Sequence, residues 1–256
     1  MKMAKTVAVA GKGGTGKTTI AALLVNFLAR RGLVLAVDAD PSINLNQALG
    51  LPLDENRTIG RTREKMAEDI LKGRFSPSVT KQDYMYGKII ESLVESKGFD
   101  LLVMGRPEGP GCYCAANEFL RAALDRLVRD YKYAYIVIDC EAGMEHISRQ
   151  TTRDVDVLLL ASDPTVKGIT TAIRMRNLIR ELRSNVGKIG LVVNRVRDGL
   201  SAELTRLIDE SRLQILAAIP EDPYVGELEE RGEPISKLPR ESPLRSKVEE
   251  LAEEIA

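Results

Sequence analysis

Nine consecutive residues, Gly11-Lys12-Gly13-Gly14-Thr15-Gly16-Lys17-Thr18-Thr19, constrain this chain more than any other stretch. An apolar, β-branched run at residues 6–10 precedes them. Residues 18–30, which follow, carry apolar side chains at three- and four-residue spacing. A glycine-rich turn between a buried strand and a helix is a cradle for phosphate. The glycines let successive N–H groups point inward, and the helix N-terminus adds partial positive charge. In such a loop Lys17 reaches the β- and γ-phosphates and the Thr18 hydroxyl sits on Mg²⁺, with Gly13, Gly14, Thr15, Gly16 and Thr19 completing the cradle.

The rest of the chain repeats the same alternation. Short apolar runs occur at residues 33–37, 99–104, 134–138, 155–161, 188–193 and 214–219, and helical spacing fills 84–94, 115–128, 169–182 and 200–210. Buried runs separated by helical crossovers require a mainly parallel sheet, here of about seven strands with helices on both faces. Right-handed crossovers then gather the functional loops at the carboxyl ends of the strands. Residues 50–78 are the least regular part and are expected to pack helices onto one edge, and residues 243–256 read as a short helix. With 256 residues and no linker or repeat, residues 1–256 form one α/β P-loop NTPase domain.

Charge and composition narrow the classes. The 37 basic and 37 acidic side chains cancel, which argues against a strongly basic nucleic-acid glove. No apolar run approaches the roughly 20 residues that span a bilayer. The start is too short and glycine-rich for a signal peptide, and three cysteines do not make a disulfide framework. A reduced, cytoplasmic protein is the expectation.

Lys12 is an extra lysine that an ordinary P-loop does not need, and it makes the segment resemble the deviant Walker A motif. That class of dimeric ATPases includes the septum-site, plasmid-partition and arsenite-pump ATPases and the nitrogenase iron protein. The resemblance covers nearly the whole chain and implies a homodimer in which Lys12 reaches across to the partner's nucleotide, in the part of an arginine finger. It also implies that Asp40, in Val37-Asp38-Ala39-Asp40-Pro41, orients or deprotonates the attacking water. Asp139, ending Ile138-Asp139, would hold Mg²⁺ through water, and the segment Cys140–His146 resembles the second switch. Asp38 has two readings, a site residue or a helix cap before Pro41 and Ser42. On the base side, the resemblance gives Asn194 to adenine and the Pro220 loop to its ring, with Arg195 beside them. Asn194-Arg195-Val196-Arg197 lacks the aspartate of a guanine reader, so ATP and ADP are expected over GTP.

The loop after residues 99–104 holds Cys112-Tyr113-Cys114 among glycines and prolines, with a helix following. Two thiols one residue apart are a poor closed metal site on one chain, but a two-fold axis doubles them to four thiolates, enough for zinc, nickel or an iron–sulfur group. The competing reading is a pair of small buried apolar residues. The nitrogenase iron protein resembles this chain in its P-loop and in the Pro-Glu…Gly…Cys loop, but the position of its second cluster ligand is occupied here by His146. The Cys-x-Cys loop with Lys12 instead resembles the accessory ATPases that insert nickel during maturation of carbon monoxide dehydrogenase.

That resemblance implies ATP-dependent nickel insertion into the apo-dehydrogenase, with Ni²⁺ or Zn²⁺ held between subunits by Cys112 and Cys114, and neither nucleic acid nor membrane as partner. Four thiolates suit Zn²⁺ as well as Ni²⁺, so nickel rests on the resemblance alone. Two alternatives stand beside it. One is a positioning ATPase of the partition or septum-site kind, for which a basic surface could come from Arg174, Arg176, Arg180 and Arg183. The other is an iron–sulfur scaffold ATPase, although no cysteine follows Cys140.

Overall fold

The computed structural model describes residues 4–72, 74, 78, 80–105, 124–140, 154–182 and 185–256. Cys112, Cys114 and His146 lie outside these residues. The first strand, β1 (Lys5–Gly11), leads through the glycine-rich loop into α1 (Lys17–Leu28), and β2 (Val34–Asp38) follows. Next come α2 (Leu45–Leu49), a 3₁₀ turn at Glu55–Arg57, α3 (Ile59–Leu71), α4 (Lys81–Ser92), β3 (Val94–Ser96) and β4 (Phe99–Val103). Residues 124–131 are helical (α5) and run into β5 (Tyr135–Asp139). The remainder is β6 (Asp154–Ser162), α6 (Val166–Glu181), β7 (Asn185–Val196), α7 (Ala202–Ser211), β8 (Ile215–Pro220), α8 (Pro223–Glu230) and α9 (Pro243–Ile255).

The strands form one sheet in the order β3-β4-β2-β5-β1-β6-β7-β8, parallel except for β3. All seven strands expected from the sequence are present. The eighth, β3, corrects the count: Val94 belongs to a three-residue antiparallel strand rather than to the end of a helix. That strand folds back on β4 through Gly98, whose φ of 87° suits the tight turn. Residues 50–78 are more regular than their polarity suggests, since α3 occupies 13 of them.

Alternation along β1 divides the core. Val7 and Val9 face Ile20, Leu24 and Leu28 of α1 and Val248, Leu251 and Ile255 of α9. Ala8 and Ala10 face the opposite layer, with Met85 and Ile89 of α4, Leu127 of α5 and Ile169 and Ile179 of α6. Helices therefore cover both faces, which is why the central strands tolerate no exposed side chain. Cys140 belongs to this second layer, its thiol pushed up to about 12 by burial. It is a packing group, as expected for a residue pointing away from Asp139.

The order β2-β5-β1-β6 brings the ends of β1, β2 and β5 side by side, with Asp38 in register with Asp139. At the end of β1, Gly11 has a φ of 154° and passes so close to β6 that a Cβ would lie 2.2 Å from the Ala161 carbonyl oxygen. A Gly11→Ala substitution therefore forces backbone apart rather than a flexible side chain. It is expected to cost about 2 kcal/mol and to lower the melting temperature by about 5 °C, read by thermal denaturation of the ligand-free chain.

Candidate functional site

The N-terminus of α1 carries no compensating groups of its own. Gly16 precedes it in the left-handed region (φ 84°), no side chain caps it, and its first turn holds no acidic residue. Its free N–H groups and dipole are thus left for an external anion. The loop is braced from within: the Lys12 carbonyl accepts from the Thr15 hydroxyl at 2.9 Å and from Lys17 Nζ at 3.3 Å. Lys17 is buried in this arrangement, whereas the Lys12 side chain is exposed.

Asp139 closes the site from β5. It is 1% exposed; its Oδ2 accepts from the Thr18 hydroxyl at 2.6 Å, and its Oδ1 is buried with no hydrogen-bond partner among the described residues. Burial raises its pKa to about 7; Asp38 and Asp40 add to the rise, while the Thr18 bond and Lys17 oppose it. A buried carboxylate with an unused oxygen beside a threonine hydroxyl is the donor set a hydrated Mg²⁺ requires, so the residues fit that ion.

The loop after β2 answers the question of Asp38. It is fully buried and accepts from the backbone N–H groups of Asp40, Asn44 and Leu45, at 3.1, 3.1 and 3.0 Å. Burial outweighs these bonds and raises its pKa. Asp38 thus holds the loop and the start of α2, while Asp40 is half-buried and folds its Oδ1 onto the Ser42 N–H at 2.8 Å.

On the other side of the loop lies a cavity of about 400 Å³. Gly16, Thr19, Asn194, Arg195 and Pro220 line it together. Glu221, Asp222 and Leu244, not singled out by sequence, line it as well. Asn194 has a structural task in addition to any base contact: its Nδ2 donates to the Thr15 carbonyl at 3.0 Å and its Oδ1 accepts from the Arg195 N–H. A Cβ on Gly16 would meet that Nδ2 at 2.4 Å, which explains the glycine there. Arg195 takes a φ of 60°, and Arg197 forks onto Glu221 at 2.6 and 3.0 Å along the rim. The Asp222-Pro223 and Ser242-Pro243 pairs, each a cap followed by proline, are the sequence signals that locate α8 and α9 beside the cavity.

Comparison with known proteins agrees with this geometry. Residues 6–235 match the model of the CobQ/CobB/MinD/ParA nucleotide binding domain. The chain is 40% identical over 250 residues to an ATP-binding protein of Methanocaldococcus jannaschii, covering 97% of each. It is 29% identical to the carbon monoxide dehydrogenase accessory protein CooC of Rhodospirillum rubrum, with 88% of this chain and 87% of that one covered. Among solved structures, the Pyrococcus furiosus cell division ATPase MinD superposes with a TM-score of 0.69 at 25% identity, over 99% of this chain and 98% of that one.

The raised pKa of Asp139 sets a pH dependence. Its folded value of about 7 lies above the ordinary 3.8, so between these values the folded chain binds the proton more tightly than the unfolded chain. Stability is therefore lost as pH rises from about 4 to about 7. The metal-free, nucleotide-free protein is expected to be about 2–4 kcal/mol less stable at pH 8 than at pH 5 on this account. Asp139→Asn should remove most of the difference in urea melts at the two pH values.

Proposed function

From the premise that this chain belongs to the CobQ/CobB/MinD/ParA nucleotide-binding domain family, matched over residues 6–235, we propose that it is an ATP-driven metallochaperone. Its substrate is a thiophilic divalent ion, Ni²⁺ or Zn²⁺, bound by Cys112 and Cys114 of two subunits and delivered to an apo-enzyme of the carbon monoxide dehydrogenase kind. The observation that carries this reading is the root of the cysteine loop. Met104, the residue after β4, donates its N–H to the Asp38 carbonyl at 2.8 Å, and its own carbonyl accepts from Gly60 at 2.9 Å. The segment that leads to the thiols thus leaves the end of β4 beside the end of β2, the strand that leads to Asp40. The similarity to the CooC accessory protein supports the same reading.

In the proposed cycle the phosphate loop and the N-terminus of α1 hold the triphosphate, Lys17 reaches its β- and γ-phosphates, and Asn194, Arg195 and Pro220 border the base. Mg²⁺, held by Thr18 and, through water, by Asp139, would supply charge that neutralises the phosphate oxygens. Asp40 leaves its Ser42 contact to orient a water molecule, which attacks the γ-phosphorus as the bond to the β-phosphate oxygen breaks, yielding ADP and inorganic phosphate. Lys12, exposed at the loop, contributes its charge to the partner's nucleotide across a two-fold dimer. ATP closes the dimer and gathers the thiolates; hydrolysis reopens it and frees the metal.

A positioning ATPase of the septum-site kind is the second reading, favoured by the superposition on the MinD structure. Two features weigh against it. The apolar face of α9 is buried, and its glutamates Glu249, Glu253 and Glu254 pair with Arg30, Arg31 and Lys188, so this helix is not presented to lipid. Arg176 turns inward to the Ser211 carbonyl at the end of α7, which divides the arginine row on α6. Among the described residues no helix is long and apolar enough to cross a membrane.

Equilibrium dialysis of the reduced, metal-free chain against Ni²⁺ and Zn²⁺ tests the cargo. About one ion per two chains is expected, abolished in the Cys112→Ser, Cys114→Ser variant with ATP affinity unchanged; metal binding indifferent to both cysteines would favour a positioning ATPase. Steady-state hydrolysis tests the trans lysine: Lys12→Ala should bind ATP within about threefold of the parent and lose about 10³-fold in kcat.

A further inference from the structure

Asp222 is buried at the rim of the base-side cavity, and its carboxylate serves two helices. Its Oδ1 accepts from the Tyr224 N–H at 3.0 Å, capping α8. Its Oδ2 accepts from the Ser242 hydroxyl at 2.5 Å and from the Leu244 N–H at 3.1 Å, both at the start of α9. Ser242, itself fully buried, passes the connection on, since its Oγ accepts from the Arg245 N–H at 3.0 Å and caps α9. Pro220, Pro223, Val225 and Leu244 all face the same cavity. One carboxylate therefore sets the spacing between the end of β8 and the first turn of α9, and with it the width of the slot on that side.

We infer that Asp222 is a positioning residue for base recognition, fixing the Pro220–Pro223 wall against Leu244 so that α9 forms part of the nucleotide site. This rests on the nucleotide-binding reading of the cavity. The phosphate loop is held separately, by Asn194 and by Thr15 and Lys17 on the Lys12 carbonyl, and none of those contacts passes through Asp222. Loss of the carboxylate should consequently weaken only the part of the affinity that the base and ribose provide. In Asp222→Asn the amide nitrogen cannot accept from the Leu244 N–H, so the link to α9 opens while Oδ1 still caps α8.

Titration calorimetry with two probes, magnesium ATP and magnesium tripolyphosphate, reads the two parts independently. Asp222→Asn is expected to weaken ATP about tenfold, in line with the loss of one hydrogen bond to a charged group, and to leave tripolyphosphate within about twofold. Ser242→Ala, which keeps the carboxylate, should weaken ATP by about threefold with tripolyphosphate again unchanged, and it carries the test should Asp222→Asn fail to fold. Equal weakening of both probes, or ATP affinity unchanged in a folded variant, would overturn the inference and leave the nucleotide reading intact. A parent chain that binds ATP no better than tripolyphosphate, or binds neither, would overturn both.

Discussion

The Thr18 hydroxyl donates to Asp139 across 2.6 Å, and this contact joins the first turn of α1 to the end of a central strand. Around it stand a buried lysine and the carboxylates Asp38 and Asp40; the charge on Asp40 makes Asp38 costlier to ionise, and both make Asp139 so. Such a cluster is stable only if the sheet holds its strand ends in fixed register and a cation or proton balances the charge. The order β2-β5-β1 supplies the register, with Asp38 beside Asp139 and Ala39 donating to the Asp139 carbonyl. The polar loops converge here because every other route along these strands is enclosed between helix layers.

The base side is built on a different economy of contacts. Asn194 ties β7 to the phosphate loop, and Asp222 ties β8 to α9, so the cavity between them is lined by residues as far apart in sequence as Gly16 and Leu244. The same helix α9 packs against α1, which begins at the phosphates. The glycine-rich loop and the cavity thus share one helix layer, whereas the Asp40 loop and Met104 lie together at the ends of β2 and β4. Met104, at the end of β4, donates to the Asp38 carbonyl at the end of β2.

Much of this was legible in the sequence because the central strands are buried on both faces and read as uninterrupted apolar runs. The strand β3 was not: three residues opposite β4, none of them buried, are too short a run to show periodicity, and their pairing depends on a turn at Gly98. The phosphate loop could be placed residue by residue, since its glycines answer to local backbone geometry. Asp222 could not, because what distinguishes it is a partner twenty residues later, and Asp38 looked ambiguous until its three backbone donors identified it as the anchor of its loop. The cysteine pair drew its meaning from spacing and resemblance, and Cys112 and Cys114 lie outside the described residues.

Closure of two chains around the triphosphate is the claim on which metal gathering depends. Its most direct measure is the molar mass of the Asp40→Ala chain by sedimentation equilibrium in the presence of Mg²⁺ with either ATP or ADP. Trapped unhydrolysed, ATP should hold the protein at about 56 kDa, twice the 28.2 kDa of one chain, and ADP should leave it at that of one chain. The same mass with both nucleotides would contradict a nucleotide-driven dimer.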